Sequence, residues 1–366
     1  MDPRGSPFVL FSTNGRDTVG AKRLLASLCL TVSGIGTGSA GAETLVINSY
    51  GGPYEDIIRE RIIEPFEKRS GIDVVYDAVG SAQQDYAKIK ATKGRPGFDL
   101  VVMTASQSLQ GCKDGLLEKL TPASIPNLNA LQADLAAVAG PCGAVHEVQY
   151  LSLLYRTDKL ATEPVSWSAL LEPELKKRVI LPTFQNIMAV YLLEMMSVTN
   201  GGDLIDNVGP GFDAMAKVSA QSVGFEQSSA ILESYLREGS VWAMPFWNGR
   251  AQLMVDEGLP VDYVRPKEGT IPLVATLNVP VGAANKEAAR KFIDFFLEKS
   301  SQEAWVAGYR VGSARSDISV PDELKDRQLT RGSDNEPLHL PDLLRLQEKL
   351  PDWAERWERD VVPNAR

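Results

Sequence analysis

Few side chains in this sequence are placed to make or break bonds. Histidine occurs twice in 366 residues, as His146 and His339. No Gly-x-Ser-x-Gly elbow and no phosphate-gripping Gly-x-x-x-x-Gly-Lys loop is present. His146-Glu147 is the one acid–base neighbour pair, and a buried structural role suits it better than catalysis. The patterns that fit recognition are two glycine turns, each opening a helix. In Trp247-Asn248-Gly249-Arg250 the turn delivers a guanidinium to a helix start, where free N–H groups and the positive end of the dipole favour a carboxylate or similar oxyanion. The competing reading makes Arg250 a surface arginine paired with Asp256 or Glu257. In Ser49-Tyr50-Gly51-Gly52 the glycines let the backbone approach a ligand, although a plain tight turn would look the same.

Alternating strands and helices must hold these turns. Apolar runs at 45–48, 72–76 and 98–103 read as strands, separated by helical patterns that start at Tyr54 and at Ser81. This alternation predicts a parallel α/β sheet. Pro65 is expected to kink or end the first helix. A second set follows, with strands at 148–155, 179–181, 241–246 and 276–281 and helices at 187–197, 231–237 and 287–298. The stretch 321–341 reads as an extended surface connection. Trp353 and Trp357, four apart, are expected to dock a terminal helix.

The first 42 residues read as an export leader. Lys22-Arg23 precede an apolar stretch at 24–32 that runs into Ala40-Gly41-Ala42, an A-x-A cleavage site. The stretch is too short to span a bilayer. Translation starting near Val19 would give a leader of usual length, and Leu28 is too large for lipid attachment at Cys29. Export leaves Cys112 and Cys142, which form either a bridge or two buried thiols. A net charge of −9 argues against nucleic-acid and anionic-membrane partners, and neither cofactor nor metal is implied.

Three segments together resemble the bacterial extracellular solute-binding proteins of the spermidine/putrescine type. They are LVINSYGGPYEDIIRERIIEPFEKRSGIDVVYD, GFDLVVMTASQSLQGCKDGLLEKL and the long run from REGSVWAMPFWNGRAQ to YRVGSARSDI. The resemblance implies a two-lobe α/β fold with the ligand in a cleft between lobes joined by crossing strands. It implies a small-molecule ligand, an ABC importer permease as partner, a periplasmic location, a monomer and no enzymatic activity. Lobe one would hold 43–147 and 275–366, and lobe two 148–274. Trp247 would be a cleft wall and Tyr309 a cleft tyrosine, with Arg310 a second possible cation. Polyamine-type acids are absent where this chain has Pro182 to Ile187, including Gln185, and where it has Thr270 to Ala275. Their tyrosine pair is replaced by Thr104-Ala105-Ser106. The expected ligand therefore carries a carboxylate and is held by Ser49, Tyr50, Gly51, Thr104, Ser106, Gln185, Trp247, Arg250 and Tyr309. The alternatives are a polyamine held by acids such as Glu226 or Asp85, and a secreted hydrolase using the His146 region.

Overall fold

A computed structural model describes residues 43–78, 82–324, 327 and 339–365; the leader and most of the 321–341 connection lie outside them. In chain order the first elements are β1 (Thr44–Ser49), α1 (Pro53–Ile58), α2 (Glu64–Ser70), β2 (Asp73–Ala78), α3 (Ala82–Ala91), β3 (Leu100–Thr104), α4 (Ala105–Lys113) and α5 (Ala133–Ala139). A long strand, β4 (Ala144–Arg156), leads to β5 (Leu181–Pro182), α6 (Ile187–Thr199), α7 (Gly209–Gln221) and β6 (Phe225–Glu226). Then come α8 (Ser229–Arg237), β7 (Ala243–Trp247), α9 (Asn248–Asp256) and β8 (Val261–Val264). The chain returns through β9 (Pro272–Asn278), α10 (Lys286–Phe296), α11 (Lys299–Tyr309), β10 (Gly312–Ser313) and α12 (Leu343–Asp360).

The main sheet is mixed, not parallel as expected. β1 pairs in parallel with β2 and β3, as strand–helix alternation dictates. β9 re-enters from the far side and runs antiparallel to both β3 and β4. β4 is unbroken over 13 residues and buried throughout. Its first half pairs with β9 and β10, and its second half with β7 and β8. The position assigned as a lobe junction, Val148, thus lies inside a strand.

Of four apolar clusters among the described residues, the two largest meet this strand. One gathers Leu45, Ile47, Ile58, Phe66, Phe292, Phe296 and Trp305. The amphipathic α10 feeds it with Ala288, Ala289, Phe292, Ile293 and Phe296 on one face. The other core gathers α6, β7 and the end of β4. Trp353 and Trp357 of α12 join this second core, with Trp357 beside Phe184 and Phe225 at ring-centroid distances of 5.5 and 6.0 Å. The terminal helix bridges two groups of elements: its tryptophans enter the second core, while Leu343 at its start packs with Ala105, Ala139 and Val145, and the helix lies against α4.

Pro65 does not end its helix. A π-helical turn, Arg59–Ile63, joins α1 to α2 immediately ahead of Pro65, an irregularity that fits a residue unable to donate to the helical turn before it. The helix stops at Gly71, in left-handed conformation. Cys112 and Cys142 are bridged, which ties the end of α4 to the approach to β4.

Candidate functional site

The β1–α1 turn, the start of α4, the middle of β4, the β5–α6 turn, the β6–α8 turn and the start of α9 converge on a cavity of about 610 Å³. This volume suits a small organic molecule. Gly52 sits at φ +69° and ψ −146°, a conformation closed to most side chains, and this lets the backbone of Gly51 and Gly52 form one wall. Tyr50 beside them is anchored through its carbonyl, which accepts from the Tyr76 hydroxyl at 2.6 Å.

Of the nine expected positions, Tyr50, Gly51, Thr104, Gln185, Trp247, Arg250 and Tyr309 line the cavity. Ser49 and Ser106 do not. Ser49 is the buried last residue of β1, in register with Ala78, and Ser106 turns inside the first turn of α4 toward Thr104 Oγ1 at 2.8 Å. Trp247 meets Tyr191 edge-on at 6.1 Å. The glutamines at 83, 84, 107, 149 and 227 and the tyrosine at 54 join the lining without having been expected.

Arg250 is neither free nor paired as anticipated. It occupies the third position of α9, and its Nη2 donates to Glu233 Oε2 of α8 at 2.7 Å. Glu233 also takes Arg237, which in turn takes Glu257. Asp256 binds Arg310 at 2.7 Å, so Arg310 belongs to an ion pair at the end of α11 and is absent from the cavity lining. Arg250 Nε is buried and has no protein partner. Gly249 is required by packing, because a Cβ there would lie 2.8 Å from Val311 and 2.9 Å from the Tyr309 carbonyl.

The cavity lining also includes an acid, Glu147, whose place beside His146 in the sequence suggests a structural role. Glu147 is 1% exposed. Its carboxylate accepts from Gln149 Nε2 at 2.8 Å and from Trp305 Nε1 at 2.9 Å. Burial pushes it up to about 7 against these two hydrogen bonds. His146 next to it does satisfy a structural role: its Nε2 meets the Tyr54 hydroxyl at 3.0 Å, and burial pushes the imidazole down to about 3, so it is neutral. Tyr54 packs edge-on against Tyr50, Tyr309 and Trp305 at 5.0–5.3 Å. Burial raises the hydroxyls of Tyr50, Tyr54 and Tyr309, which stay protonated. Glu226 also lines the cavity, brought beside Pro182 by the β5–β6 pairing. Asp85 is buried and holds Asn48 Nδ2 at 3.0 Å. Among the described residues no cluster of three or more histidine, cysteine or carboxylate groups could hold a metal ion, and no helix is long and apolar enough to cross a membrane.

A mixed sheet crossed by shared strands, with a polar cavity against the crossing, is an architecture for gripping a solute. Residues 61–330 match the family described as bacterial extracellular solute-binding protein. The chain belongs to that family. As such a solute-binding protein it serves an ABC importer, taking a small solute and passing it to the permease. It is similar to the spermidine/putrescine-binding periplasmic protein of Escherichia coli K12, 27% identical over 278 residues that span 73% of this chain and 78% of the relative. It is 25% identical to a gamma-aminobutyric acid-binding protein of Pseudomonas aeruginosa, over 73% of this chain and 75% of the relative. Its fold matches that of the periplasmic binding protein AgtB of A. tumefaciens R10, solved with agropinic acid, at a TM-score of 0.72 and 21% identity, covering 87% of this chain and 98% of the other. The two-lobe α/β fold is that of periplasmic binding proteins.

Proposed function

We propose that this solute-binding protein works in the periplasm, after removal of its leader, as a monomer that captures a small solute bearing a carboxylate. Lobe one (43–147 and 275–366) and lobe two (148–274) close on the solute about β4 and β9, with the terminal helix bridging α4 and the second core. The observation that carries this reading is Arg250 in the cavity wall, in the first turn of α9, with an Nε donor left over after Glu233 has taken Nη2. Charge-assisted hydrogen bonds from guanidinium and helix start to a carboxylate are among the strong ones. The relatives named for gamma-aminobutyric acid and agropinic acid fit an acid-bearing ligand.

The polyamine reading draws on the relatives named for spermidine and putrescine and on Glu147 and Glu226 in the lining. An ammonium group near Arg250 would meet a like charge in a largely buried place, which disfavours it. Replacing Arg250 by alanine is expected to weaken a carboxylate ligand by about 1.5–3 kcal/mol, the scale of a hydrogen bond to a charged group. Calorimetry on folded variant protein checks this, and unchanged affinity removes Arg250 from the site.

A further inference from the structure

The cavity carries charge of both signs, and its negative side has no counter-ion. The Glu147 carboxylate is met by two neutral donors, Gln149 Nε2 and Trp305 Nε1. The basic group beside it, His146 with Nε2 3.8 Å from Oε2, is buried and neutral. Among the described residues no lysine or arginine pairs with it. Gln149 Oε1 is buried without a partner, a second acceptor left open at the same place. The rings of Tyr50 and Tyr309 line the cavity here, and Tyr54 packs edge-on against both. A carboxylate, an open amide oxygen and aromatic faces together suit an ammonium ion.

This acidic end lies close to the basic one. Gln149 Oε1 is 3.3 Å from where a Cβ of Gly249 would stand, and Gly249 precedes Arg250. Tyr309 feels both charges, the Glu147 carboxylate and the Arg250 guanidinium. We infer that the ligand is amphoteric: a cationic nitrogen rests on Glu147 and Gln149 Oε1 while its carboxylate faces Arg250. This deepens the carboxylate reading and rests on it. A diacid would set its second anion against Glu147, and a diamine would set its second cation against Arg250; beside these largely buried groups each leaves like charges facing one another.

Calorimetric titration of the ligand-free protein uses 4-aminobutanoate, butanedioate and butane-1,4-diamine, three probes of one chain length, together with the twenty α-amino acids. At least one amphoteric probe is expected to bind tenfold or more tightly than the diacid and the diamine. Glu147→Gln, which keeps the side-chain volume, is expected to weaken that probe at least tenfold, and Gln149→Met, which leaves Glu147 in place, severalfold. Either variant suffices if the other does not fold. Tight diacid binding without amphoteric binding overturns this inference and spares the carboxylate reading. Diamine binding alone overturns both. Absence of binding by every amphoteric probe, or unchanged affinity in a folded Glu147→Gln protein, overturns the inference as well.

Discussion

A carboxylate buried without a cation has consequences for the empty protein. Glu147 ionises near its ordinary value of 4.5 in the unfolded chain, but burial pushes it up to about 7 in the folded one. Nothing charged compensates: His146 is neutral, and Tyr50, Tyr54 and Tyr309 keep their protons. Between pH 4.5 and 7 the folded state therefore holds the extra proton, and stability falls as pH rises. The difference corresponds to a loss on the order of 3 kcal/mol that is complete above pH 7. Glu147→Gln has no such group to ionise, so its stability relative to the parent should climb by about that amount from pH 4 to pH 8. Urea unfolding of ligand-free protein at pH 4.5, 6 and 8 measures it, and a flat difference would mean that Glu147 is hydrated. The sequence carried a signal for this acid. Glu147 and Gln149 are two apart, and although the sequence reads the strand only from 148, within β4 (Ala144–Arg156) the two share one face. What one strand cannot reveal is whether that face meets solvent, core or ligand.

At the level of elements, the turns prove more legible than the sheet. Gly52 and Gly249 mark the places where backbone approaches the cavity or another segment, and both stood out as punctuation in the sequence. Sheet direction differs from the sequence expectation because helix-linked strands imply parallel pairing locally, while β9 is set antiparallel by a return from far along the chain, β4 ending at Arg156 and β9 opening at Pro272. The α4–β4 connection is stapled by Cys112–Cys142, with a sequence separation of 30. Closing a loop of that length is expected to contribute about 3–4 kcal/mol through the entropy of the unfolded chain. The double serine variant should lose about this much by denaturant titration and retain its ligand affinity, because neither cysteine lines the cavity. A large affinity loss at conserved folding would instead mean that the staple shapes the cleft.

For the whole molecule, the expected motion follows from how β4 is shared. One half pairs with strands over the first core and the other half with strands over the second, so bending at its middle and in β9 moves two cores that are each packed internally. Ligand is expected to compact the protein in small-angle scattering. Of the six tryptophans, Trp247 lines the cavity and should report binding, while Trp353 and Trp357 lie in the second core and should stay silent. Trp242 sits under Arg178 at 4.8 Å and is absent from the cavity lining; Trp305, bonded to Glu147, is the better second reporter. Loss of the fluorescence response in Trp247→Phe, with Trp305 intact, is the expected outcome, and a full response in that variant would move the aromatic wall to Trp305. The sequence alone determined the glycine turns, the amphipathic helices and the presence of Arg250 at a helix start, because these follow from local periodicity and backbone chemistry; the two-lobe class came from the resemblance of three segments to a known family. Only the tertiary structure decided that Arg250 leans on Glu233, that Glu147 faces the cavity and that α12 joins the second core. Those outcomes depend on which distant surfaces meet, and the free energy of a charge is set by what surrounds it rather than by its neighbours along the chain.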